Sequence, residues 1–445
     1  MIKDTTTFNY TQQKRLLMSN SSPAKTLESY LQNLTRFGIR PGLDRIRALV
    51  NLARLTHLNF PCILVGGTNG KGSTCDFLAR SLAADGLKTG LFTSPHLYHY
   101  NERIRVLPSD DHQLFEGAIS DAEAEALLEV AAPIVQQVSQ QMQDPTEFET
   151  LTLLALLHFT RQQVDVAVLE VGLGGRWDCT NVVDPLVSVL THVDLDHCDR
   201  LGDTREEIAF DKVHISRPGR ILVSAETRPE VLKVLFDYCQ DTKVLFRPWR
   251  APQYKTDPNW NAPAEAVDEN DFQTINRQTA MQARLAFYES IHRPAPPGHP
   301  KVLLPPVPGR FEIIRKNPLL VADGANNPDG ARHLAHRLKQ QLAHNTRGKL
   351  FIVLGILADK DYEQMIEILA PMAHAVIATQ STSPRSAPAE TIAAKVSALG
   401  IAVQTIRPVT AAVQKAIQMA APDDIVVLTG SFYTLGDLDR NQVMA

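Results

Sequence analysis

Apolar and amphipathic segments alternate along most of the chain. Continuous apolar runs, typical of strands buried on both faces of a sheet, occur at residues 61–66, 89–93, 164–171, 186–190, 319–322, 350–354, 375–379 and 425–428. Helical patterns occur at residues 73–84, 121–141, 149–161, 206–214, 330–343 and 409–419. This repetition of strand and helix predicts an α/β fold with mostly parallel sheets and helices on both faces.

A proline-dense segment interrupts the alternation at residues 293–306 (RPAPPGHPKVLLPP). Because proline stiffens a connection and excludes helix, this composition predicts an interdomain linker. We therefore expect two domains, at residues 1–295 and 301–445, of which the second is a smaller α/β domain. The polar stretch at residues 252–271 is expected to be a surface excursion.

Composition narrows the class of protein. The 445 residues are 44% hydrophobic and 21% charged, as in globular proteins, and the net charge of −4 argues against a nucleic-acid-binding surface. The N-terminal residues lack the apolar core of a signal peptide, and the longest apolar run is too short to span a bilayer. Five widely spaced cysteines contain no C-x-x-C pair. Reduced thiols in a cytoplasmic protein are expected, without a zinc site.

The first predicted strand leads into a glycine-rich loop, residues 65–74 (VGGTNGKGST). It departs from the common G-x-x-x-x-G-K-[ST] phosphate loop, because its glycines are one residue closer and Gly72 separates Lys71 from Ser73. A loop between a strand and a helix N-terminus can still hold phosphate through backbone N–H groups. Lys71 adds positive charge, and Ser73 or Thr74 offers a hydroxyl for Mg²⁺. The alternative is a plain β–α turn rich in glycine.

Two further strands carry candidate metal ligands. Glu170 stands in an otherwise apolar strand, where an unpaired carboxylate is costly to bury. A metal ion or the guanidinium of Arg176 would compensate it. Ser94 follows the strand at 89–93, at the sheet edge where α/β proteins usually bind ligands. Read alone, the loop around Ser94 fits a structural role at least as well.

The segment 191–204 (THVDLDHCDRLGDT) follows another strand. Four of its residues, Asp194, Asp196, His197 and Asp199, bring carboxylates and an imidazole close together in sequence. Such a set can bind Mg²⁺ or Mn²⁺. Asp203 and Thr204 could equally cap the following helix. Lys212 lies on that helix, where most lysines are solvated.

Four short segments of the C-terminal domain are also candidate site loops. They are PGRFE at 308–312, VADGANNP at 321–328, LADKD at 357–361 and TGSFY at 429–433. Two of them end or follow apolar strands, so these loops are expected at one edge of the second sheet. Turns and caps explain each of them singly.

Taken in order, these segments resemble the folylpolyglutamate synthase/dihydrofolate synthase family, a branch of the Mur-ligase-like ATP-dependent amide-forming ligases. The resemblance runs from residues 31–46 to 429–433 and rests chiefly on GTNGKGS, TSPHL, EVGLGGRxDxTN and DHxDRLGDT. The family's ATP loop also has a glycine after the lysine. The resemblance implies a P-loop-like N-terminal domain and a Rossmann-like C-terminal domain. It further implies an ATP-dependent ligase that adds L-glutamate to dihydropteroate, to reduced folates, or to both, through an acyl phosphate.

The resemblance also implies roles for individual residues. The ATP-binding set is Thr68, Asn69, Gly70, Lys71, Gly72, Ser73, Asn276, Arg310 and Asp323. The implied Mg²⁺ ligands are Ser73, Ser94, Glu170 and His197. Lys212 would be carbamylated and help to hold a second Mg²⁺. The implied catalytic residues are Lys71, His197 and Lys212. The pteroate set is Thr146, Glu147, Phe148, Glu149, Trp177, Asp178 and Cys179. Asn326 and Ser431 would face the incoming amino acid, and the family is commonly monomeric.

Three departures from the family pattern keep alternatives open. Asn326 replaces the histidine of DGAHNP, the EKAG around the carbamylated lysine reads DKVH at residues 211–214, and Cys179 replaces an alanine. A Mur-like ligase for another acid and amino acid is therefore one alternative. An ATP-binding regulatory homologue without ligase activity is the other, although the metal-ligand set and Lys212 argue against it, because ATP binding alone does not require them.

Overall fold

A computed structural model describes residues 26–35, 38, 40–109, 114–262, 271–297, 307–344 and 348–444. Within these ranges the chain forms two α/β units, each built on its own sheet. The expectations for the first 25 residues, for 263–270 of the polar stretch and for 298–306 of the linker lie outside the described residues.

Seven strands form the first sheet: β1 Cys62–Gly66, β2 Thr89–Phe92, β3 Ile104–Leu107, β4 Val166–Glu170, β5 Pro185–Leu190, β6 Ile221–Ser224 and β7 Leu245–Pro248. Their order is β3-β2-β4-β1-β5-β6-β7, with β2 and β3 antiparallel and the other pairs parallel. The second sheet has six strands: β8 Glu312–Lys316, β9 Leu319–Asp323, β10 Leu350–Leu354, β11 Ala375–Ala378, β12 Val403–Thr405 and β13 Ile425–Thr429. Their order is β12-β11-β10-β13-β9-β8, with β8 antiparallel to β9.

The described helices surround these sheets. Those of the first unit are α1 Leu27–Thr35, α2 Asp44–Leu52, α3 Lys71–Ala84, α4 Asp121–Gln141, α5 Glu147–Gln162, α6 Cys198–Leu201, α7 Arg205–Lys212, α8 Pro229–Thr242 and α9 Phe272–Ser290. Those of the second unit are α10 Pro328–His344, α11 Tyr362–Leu369, α12 Ala389–Ala398, α13 Val409–Met419 and α14 Phe432–Gly436. No described helix is long and apolar enough to cross a membrane.

The predicted α/β architecture is confirmed, with small shifts at element ends. The strand expected at 164–171 begins at Val166, because the end of α5 extends into the preceding residues. Gln163 adopts a left-handed conformation (φ 53°), and the N–H of Val164 donates to the carbonyl oxygen of Phe159. This arrangement satisfies the last carbonyl groups of the helix before the strand starts.

Each sheet is buried on both faces. In β1, Cys62 and Leu64 belong to one apolar cluster, while Ile63 and Val65 belong to another. Since successive side chains of a strand point to opposite faces, the two clusters are the two cores of the first sheet. The second sheet shows the same alternation along β10.

The register of the central strands brings the candidate loops together. Val65 of β1 pairs with Glu170 of β4, and Gly66 pairs with Leu190 of β5. Because these strands are parallel, the glycine loop, Glu170 and the loop after β5 all lie at one edge of the sheet. Asp323 and Thr429 are paired in the second sheet and end their strands at a corresponding edge.

The two units are in contact. Leu97 of the first unit belongs to an apolar cluster of the second. Arg440 Nε donates to the Tyr98 hydroxyl at 2.5 Å, and its guanidinium also forms two hydrogen bonds with Glu312. Helix α9 packs against α3 and β5 and so belongs to the first unit. The division between residues 295 and 301 stays a prediction.

Candidate active site

The glycine loop turns directly from β1 into α3. Gly70 has φ 87° at the helix N-cap, and a Cβ there would lie 2.4 Å from Asn276 Oδ1. Gly72 lies in the first turn, where a Cβ would be 3.3 Å from Glu170 Oε2. Contacts under 3.4 Å are tight for a Cβ, so the residue after Lys71 is small because the helix passes over Glu170. The glycine between Lys71 and Ser73 therefore has a steric reason.

Lys71 lies at the first helical position with its ammonium turned toward the loop. Its Nζ donates to the carbonyl oxygens of Gly67 and Thr68, each at 3.1 Å. Burial lowers the pKa of Lys71, while the negative charges of Glu170 and Asp196 act to raise it. The N-terminus of α3 adds further positive potential, so this loop suits a polyanion such as a triphosphate.

Glu170 ends β4 with its side chain buried. Its Oε2 accepts a hydrogen bond from the backbone N–H of Ser94 at 2.9 Å. Burial raises the pKa of Glu170, and the positive charges of Lys71 and Arg310 oppose that shift. The alternative pairing with Arg176 is not observed, because the Arg176 guanidinium lies over the Trp177 ring at 4.9 Å.

The donor set around Glu170 fits a hard divalent cation. The carboxylate contacts the Ser94 N–H and lies close to Gly72 in the first turn of α3, the residue before Ser73. The adjacent Thr74 Oγ1 is buried and has no hydrogen-bond partner among the described residues. Carboxylate and hydroxyl oxygens are ligands that Mg²⁺ prefers.

His197 approaches the same region from the loop after β5. It adopts a left-handed conformation (φ 53°) at the start of α6. Lys360 Nζ, from the second unit, donates to Asp196 Oδ1 at 2.7 Å and lies 3.2 Å from His197 Nε2. Burial lowers the pKa of His197 to about 4, which keeps the imidazole neutral. A neutral imidazole is the form that can ligate a metal.

The other acidic residues of this loop serve different purposes. Asp194 is buried and paired with three guanidinium groups, those of Arg205, Arg228 and Arg332. Asp199 is exposed and lies 3.4 Å from Arg200. Thr204 caps α7 by accepting from the N–H of Glu207, as its spacing predicted. Only Asp196 and His197 of the acidic and imidazole candidates therefore lie beside Lys360.

Lys212 is buried, unlike most helical lysines. Its Nζ donates to the Gly67 carbonyl oxygen at 3.2 Å, which places the end of α7 beside the glycine loop. Burial, followed by repulsion from Lys71, lowers the pKa of Lys212 to about 7. Near neutral pH a substantial fraction of this amine is therefore unprotonated and nucleophilic.

The second unit contributes Arg310 and Asp323 to the cleft. Asp323 accepts hydrogen bonds from the N–H groups of Phe311 and Ala325, at 2.8 and 2.9 Å. The Arg310 guanidinium lies over the Phe432 ring at 4.4 Å. Burial lowers the pKa of Arg310, while the charges of Asp323 and Glu170 oppose the shift. The guanidinium is thus influenced by the negative charge of a carboxylate from each unit.

Two family models match the chain. The Mur ligase middle domain matches residues 65–224, and the Mur ligase glutamate ligase domain matches residues 309–432. The dihydrofolate synthase/folylpolyglutamate synthase of Bacillus subtilis (strain 168) is 34% identical over 93% of this chain and 97% of its own length. The Escherichia coli (strain K12) protein of the same name is also 34% identical, over 93% and 94% of the two chains. The chain belongs to the dihydrofolate synthase/folylpolyglutamate synthase family.

Solved structures of this family are similar throughout. Escherichia coli FolC in complex with DHPP and ADP has a TM-score of 0.76 at 29% identity, covering 94% of this chain and 97% of that one. A bifunctional folylpolyglutamate synthase/dihydrofolate synthase with Mn, AMPPNP and L-glutamate bound has a TM-score of 0.78 at 29% identity, covering 94% and 98%. A nucleotide and a divalent cation therefore occur together in a structural relative.

Most of the residues that the family resemblance assigns to pteroate lie around the start of α5, whereas Trp177 lies beside Arg176 near α6 and α7. Thr146 caps the helix, and Glu149 completes the capping box and pairs with Arg45 at 3.1 Å. Phe148 stacks on Phe92 with ring centroids 5.6 Å apart. The remaining members are Glu147, Trp177, Asp178 and Cys179. The Glu147 carboxylate is 3.7 Å from the Arg103 guanidinium, and the Trp177 side chain is 48% exposed. Asp178 caps a short 3₁₀ turn. The Sγ atom of Cys179 is 3.1 Å from Thr152 Oγ1. Several of them already have structural partners.

The amino-acid positions of the family motif lie in the second unit. Ser431 is buried and caps α14 by accepting from the N–H of Thr434 at 3.0 Å. Asn326 is half-buried in the loop before α10. Its neighbour Asn327 crosses to the first unit, where its Nδ2 donates to Asn69 Oδ1 and to Asp196 Oδ2, each at 3.1 Å.

Sequence reasoning missed the residues that join the two units across the cleft. Lys360 lies in the LADKD segment noted for its position, but nothing local indicated its contacts with Asp196 and His197. His192 and Asp329 were not considered, although Asp329 directly follows the DGANNP motif. His192 Nε2 and Asp329 Oδ2 are 2.7 Å apart, and His333 completes a group whose ligand-type atoms lie within 4.8 Å of one another.

Proposed function

We propose that this protein is an ATP- and Mg²⁺-dependent ligase that joins L-glutamate to the carboxylate of dihydropteroate, of a reduced folate, or of both. The observation that carries the proposal is the meeting of the glycine loop, Glu170, His197 and Lys212 at one sheet edge, opposite Arg310 of the second unit. The membership of the chain in the dihydrofolate synthase/folylpolyglutamate synthase family supplies the substrate class.

We assign ATP to the start of α3 and the opposite wall of the cleft. Residues 68–73 would surround the phosphates, and Asn276, adjacent to Gly70, would contact the adenine side. Arg310 and Asp323 would reach the nucleotide from the second unit. The burial of these charged groups supports the assignment, because a buried guanidinium or ammonium is best compensated by an anion.

We assign the divalent cation to Ser73, Ser94 and Glu170, and a second one to Glu170, His197 and a carbamate on Lys212. A divalent cation at these residues would neutralise phosphate oxygens and so permit attack by a carboxylate. The oxygen ligands favour Mg²⁺, and the neutral state of His197 allows it to contribute a nitrogen.

The proposed reaction has two chemical steps. The substrate carboxylate attacks the γ-phosphorus of ATP, which forms an acyl phosphate and releases ADP. Lys71 and Arg310 would offset the repulsion between these anions. The glutamate amine then attacks the acyl carbon, the C–O bond to phosphate breaks, and the amine loses a proton. Holding the reactants in a closed cleft contributes about 7–11 kcal/mol in well-oriented systems.

The remaining assignments concern the two organic substrates. The pteroate moiety would lie beside Phe148 and Cys179, near Thr146, Glu147, Glu149, Trp177 and Asp178. Asn326 and Ser431 would face the incoming glutamate. Asparagine at 326 can hydrogen-bond but cannot serve as a base near neutral pH, so amine deprotonation there would require another group.

We also propose a cytoplasmic monomer that acts on small molecules, with neither nucleic acid nor membrane as a partner. The five free cysteines support a reducing compartment. We propose the domain division between residues 295 and 301, because α9 packs on the first sheet and β8 on the second.

Carbamylation of Lys212 should depend on pH. With its pKa lowered to about 7, the amine is mostly neutral above that pH and can attack CO₂, forming an N–C bond and losing a proton. We expect a carbamate resonance in ¹³C NMR spectra with labelled bicarbonate, stronger above this pKa and weaker below it. Lys212→Ala should remove the resonance, and Lys233→Ala on the surface should retain it. Identical spectra for the wild type and Lys212→Ala would contradict the assignment.

ADP release by the purified protein tests the proposed function. Dihydropteroate or tetrahydrofolate would be supplied with ATP, Mg²⁺ and each of several amino acids. We expect sustained ADP release, beyond one ADP per enzyme, only when a pteroate-type acid and L-glutamate are both present. ADP formation with another acid or amino acid in their place would favour the Mur-like alternative. Nucleotide binding without turnover on any pair would favour the regulatory homologue.

A further inference from the structure

Asp329 is a buried carboxylate at the boundary between the two units. It is the second residue of α10 in the second unit and is only 3% exposed. Its Oδ2 accepts from Asn69 Nδ2 at 2.8 Å and lies 2.7 Å from His192 Nε2. Both of these partners belong to the first unit, so the carboxylate crosses the cleft.

Three more cationic or imidazole groups surround the same carboxylate. Arg228 Nη2 of the first unit is 4.0 Å from Asp329 Oδ1. Arg332 and His333, on α10 itself, approach Oδ1 at 3.5 and 3.2 Å. The Asp329 cluster is therefore Asp329 together with Asn69, His192, Arg228, Arg332 and His333.

Asn69 connects this cluster to the ATP loop. Its amide forms a reciprocal pair of hydrogen bonds with Asn327, at 3.0 and 3.1 Å, in addition to its bond with Asp329. On the other side, Thr191 Oγ1 donates to the Asn69 carbonyl oxygen at 2.7 Å. The loop residue before Gly70 is thus held from both units at once.

The charges of the cluster favour hydrogen bonding over metal binding. His192, Asp329 and His333 have ligand-type atoms within 4.8 Å of one another, the spacing of a cation site. However, both oxygens of Asp329 already face nitrogen groups, and two guanidinium groups lie within 4.0 Å. A divalent cation in the same space would be repelled by both of them.

We propose that Asp329 is a positioning residue, which holds the Asn69 side chain and thereby makes the ATP-binding conformation of the loop depend on contact between the two units. The inference rests on the proposed ATP site and adds to it a residue outside the motifs that define the family resemblance. It also explains why a carboxylate is buried at this boundary, since the donors converge from both units.

Equilibrium binding of a fluorescent ATP analogue measures this role without requiring turnover. Asp329→Asn removes the negative charge and replaces one of two acceptor oxygens by an amide N–H, which faces donors in either orientation, so we expect the Kd to rise about tenfold. His333→Gln is the matched control, because His333 contacts the same carboxylate and the first-unit rings of Phe272 and His192, but has no bond to Asn69 among the described residues. We expect the Kd of this control to stay within about twofold of the wild type.

A double-mutant cycle separates positioning from general damage. If Asp329 acts on the nucleotide through its hydrogen bond to Asn69, Asn69→Ala should weaken nucleotide binding at least as much as Asp329→Asn, and the double variant should be no weaker than Asn69→Ala alone. Additive losses, equal losses in Asp329→Asn and His333→Gln, or an unchanged Kd in Asp329→Asn would each overturn the inference. Failure of the wild type to bind nucleotide would overturn the proposed function and this inference together.

Zn²⁺ titration tests the competing interpretation of the same residues. Under the proposal, adding Zn²⁺ changes the thermal unfolding midpoint of the wild type by the same amount as that of His333→Gln. A rise in the midpoint of the wild type alone would identify a cation site and overturn the positioning role.

Discussion

Glu170→Gln is expected to reduce ligase turnover by about 10³-fold, the effect of losing roughly 4 kcal/mol of transition-state stabilisation. The substitution keeps the shape of the side chain and an oxygen that can accept from the Ser94 N–H, now 2.9 Å from Oε2. The substitution removes the negative charge of Glu170, which we propose binds the divalent cation beside the glycine loop. ADP release at saturating ATP, pteroate-type acid and L-glutamate measures the loss.

Asp424→Asn is the matched control for Glu170→Gln. Asp424 is also a buried carboxylate held by backbone N–H groups, those of Lys349 and Ala421, each at 2.7 Å. It precedes β13, at the opposite edge of the second sheet from Thr429, so its loss should leave turnover within about twofold. Turnover in Glu170→Gln equal to that of the control would remove Glu170 from the catalytic site.

Arg284→Ala is expected to lower the free energy of unfolding of the first unit by about 3–5 kcal/mol, because it leaves a buried carboxylate without its partner. Arg284 Nε and Nη2 bond to the two oxygens of Asp85 at 2.6 and 2.7 Å, and both side chains are at most 5% exposed. The pair joins α9, which carries Asn276, to the end of α3, which begins at the glycine loop. Urea unfolding monitored by circular dichroism measures the change.

Lys233→Ala provides the comparison for this stability prediction. Lys233 and Asp237 form a close pair as well, at 2.7 Å, but one turn apart on the exposed surface of α8. Water screens such a pair, so we expect the urea midpoint to be unchanged. If Arg284→Ala shifts the midpoint no more than Lys233→Ala does, the buried pair contributes no more than a surface one.

Elements with a strong local pattern were predicted closely. Helix α4 occupies the predicted residues 121–141, where Ser120 and Glu123 form a capping box and apolar residues repeat on one face. Strand β10 occupies the predicted residues 350–354, all buried. The four edge strands β3, β7, β8 and β12 were not predicted, and neither was the short buried strand β6. An edge strand is short and partly exposed, as the EIIRK of β8 shows, so its pattern is weak.

The candidate site was also predicted only in part from the sequence. Sequence alone located the glycine loop and the anomalous Glu170, because a buried strand followed by glycines, or interrupted by a carboxylate, is a local pattern. Tertiary structure decided the partners. Glu170 meets Ser94 and α3 where Arg176 was an alternative, and Lys212 is buried beside the loop.

The contacts across the cleft mark the limit of what sequence could determine for this protein. Lys360 meets Asp196 from 164 residues away, and Asp329 meets Asn69 from 260 residues away. Local periodicity predicts which face of an element is buried, but it carries no information on which distant side chain will lie opposite. The sequence by itself therefore determined most of the elements, the position of the glycine loop and the class of chemistry. Only the packing of two folded units against each other decided which charges meet in the cleft.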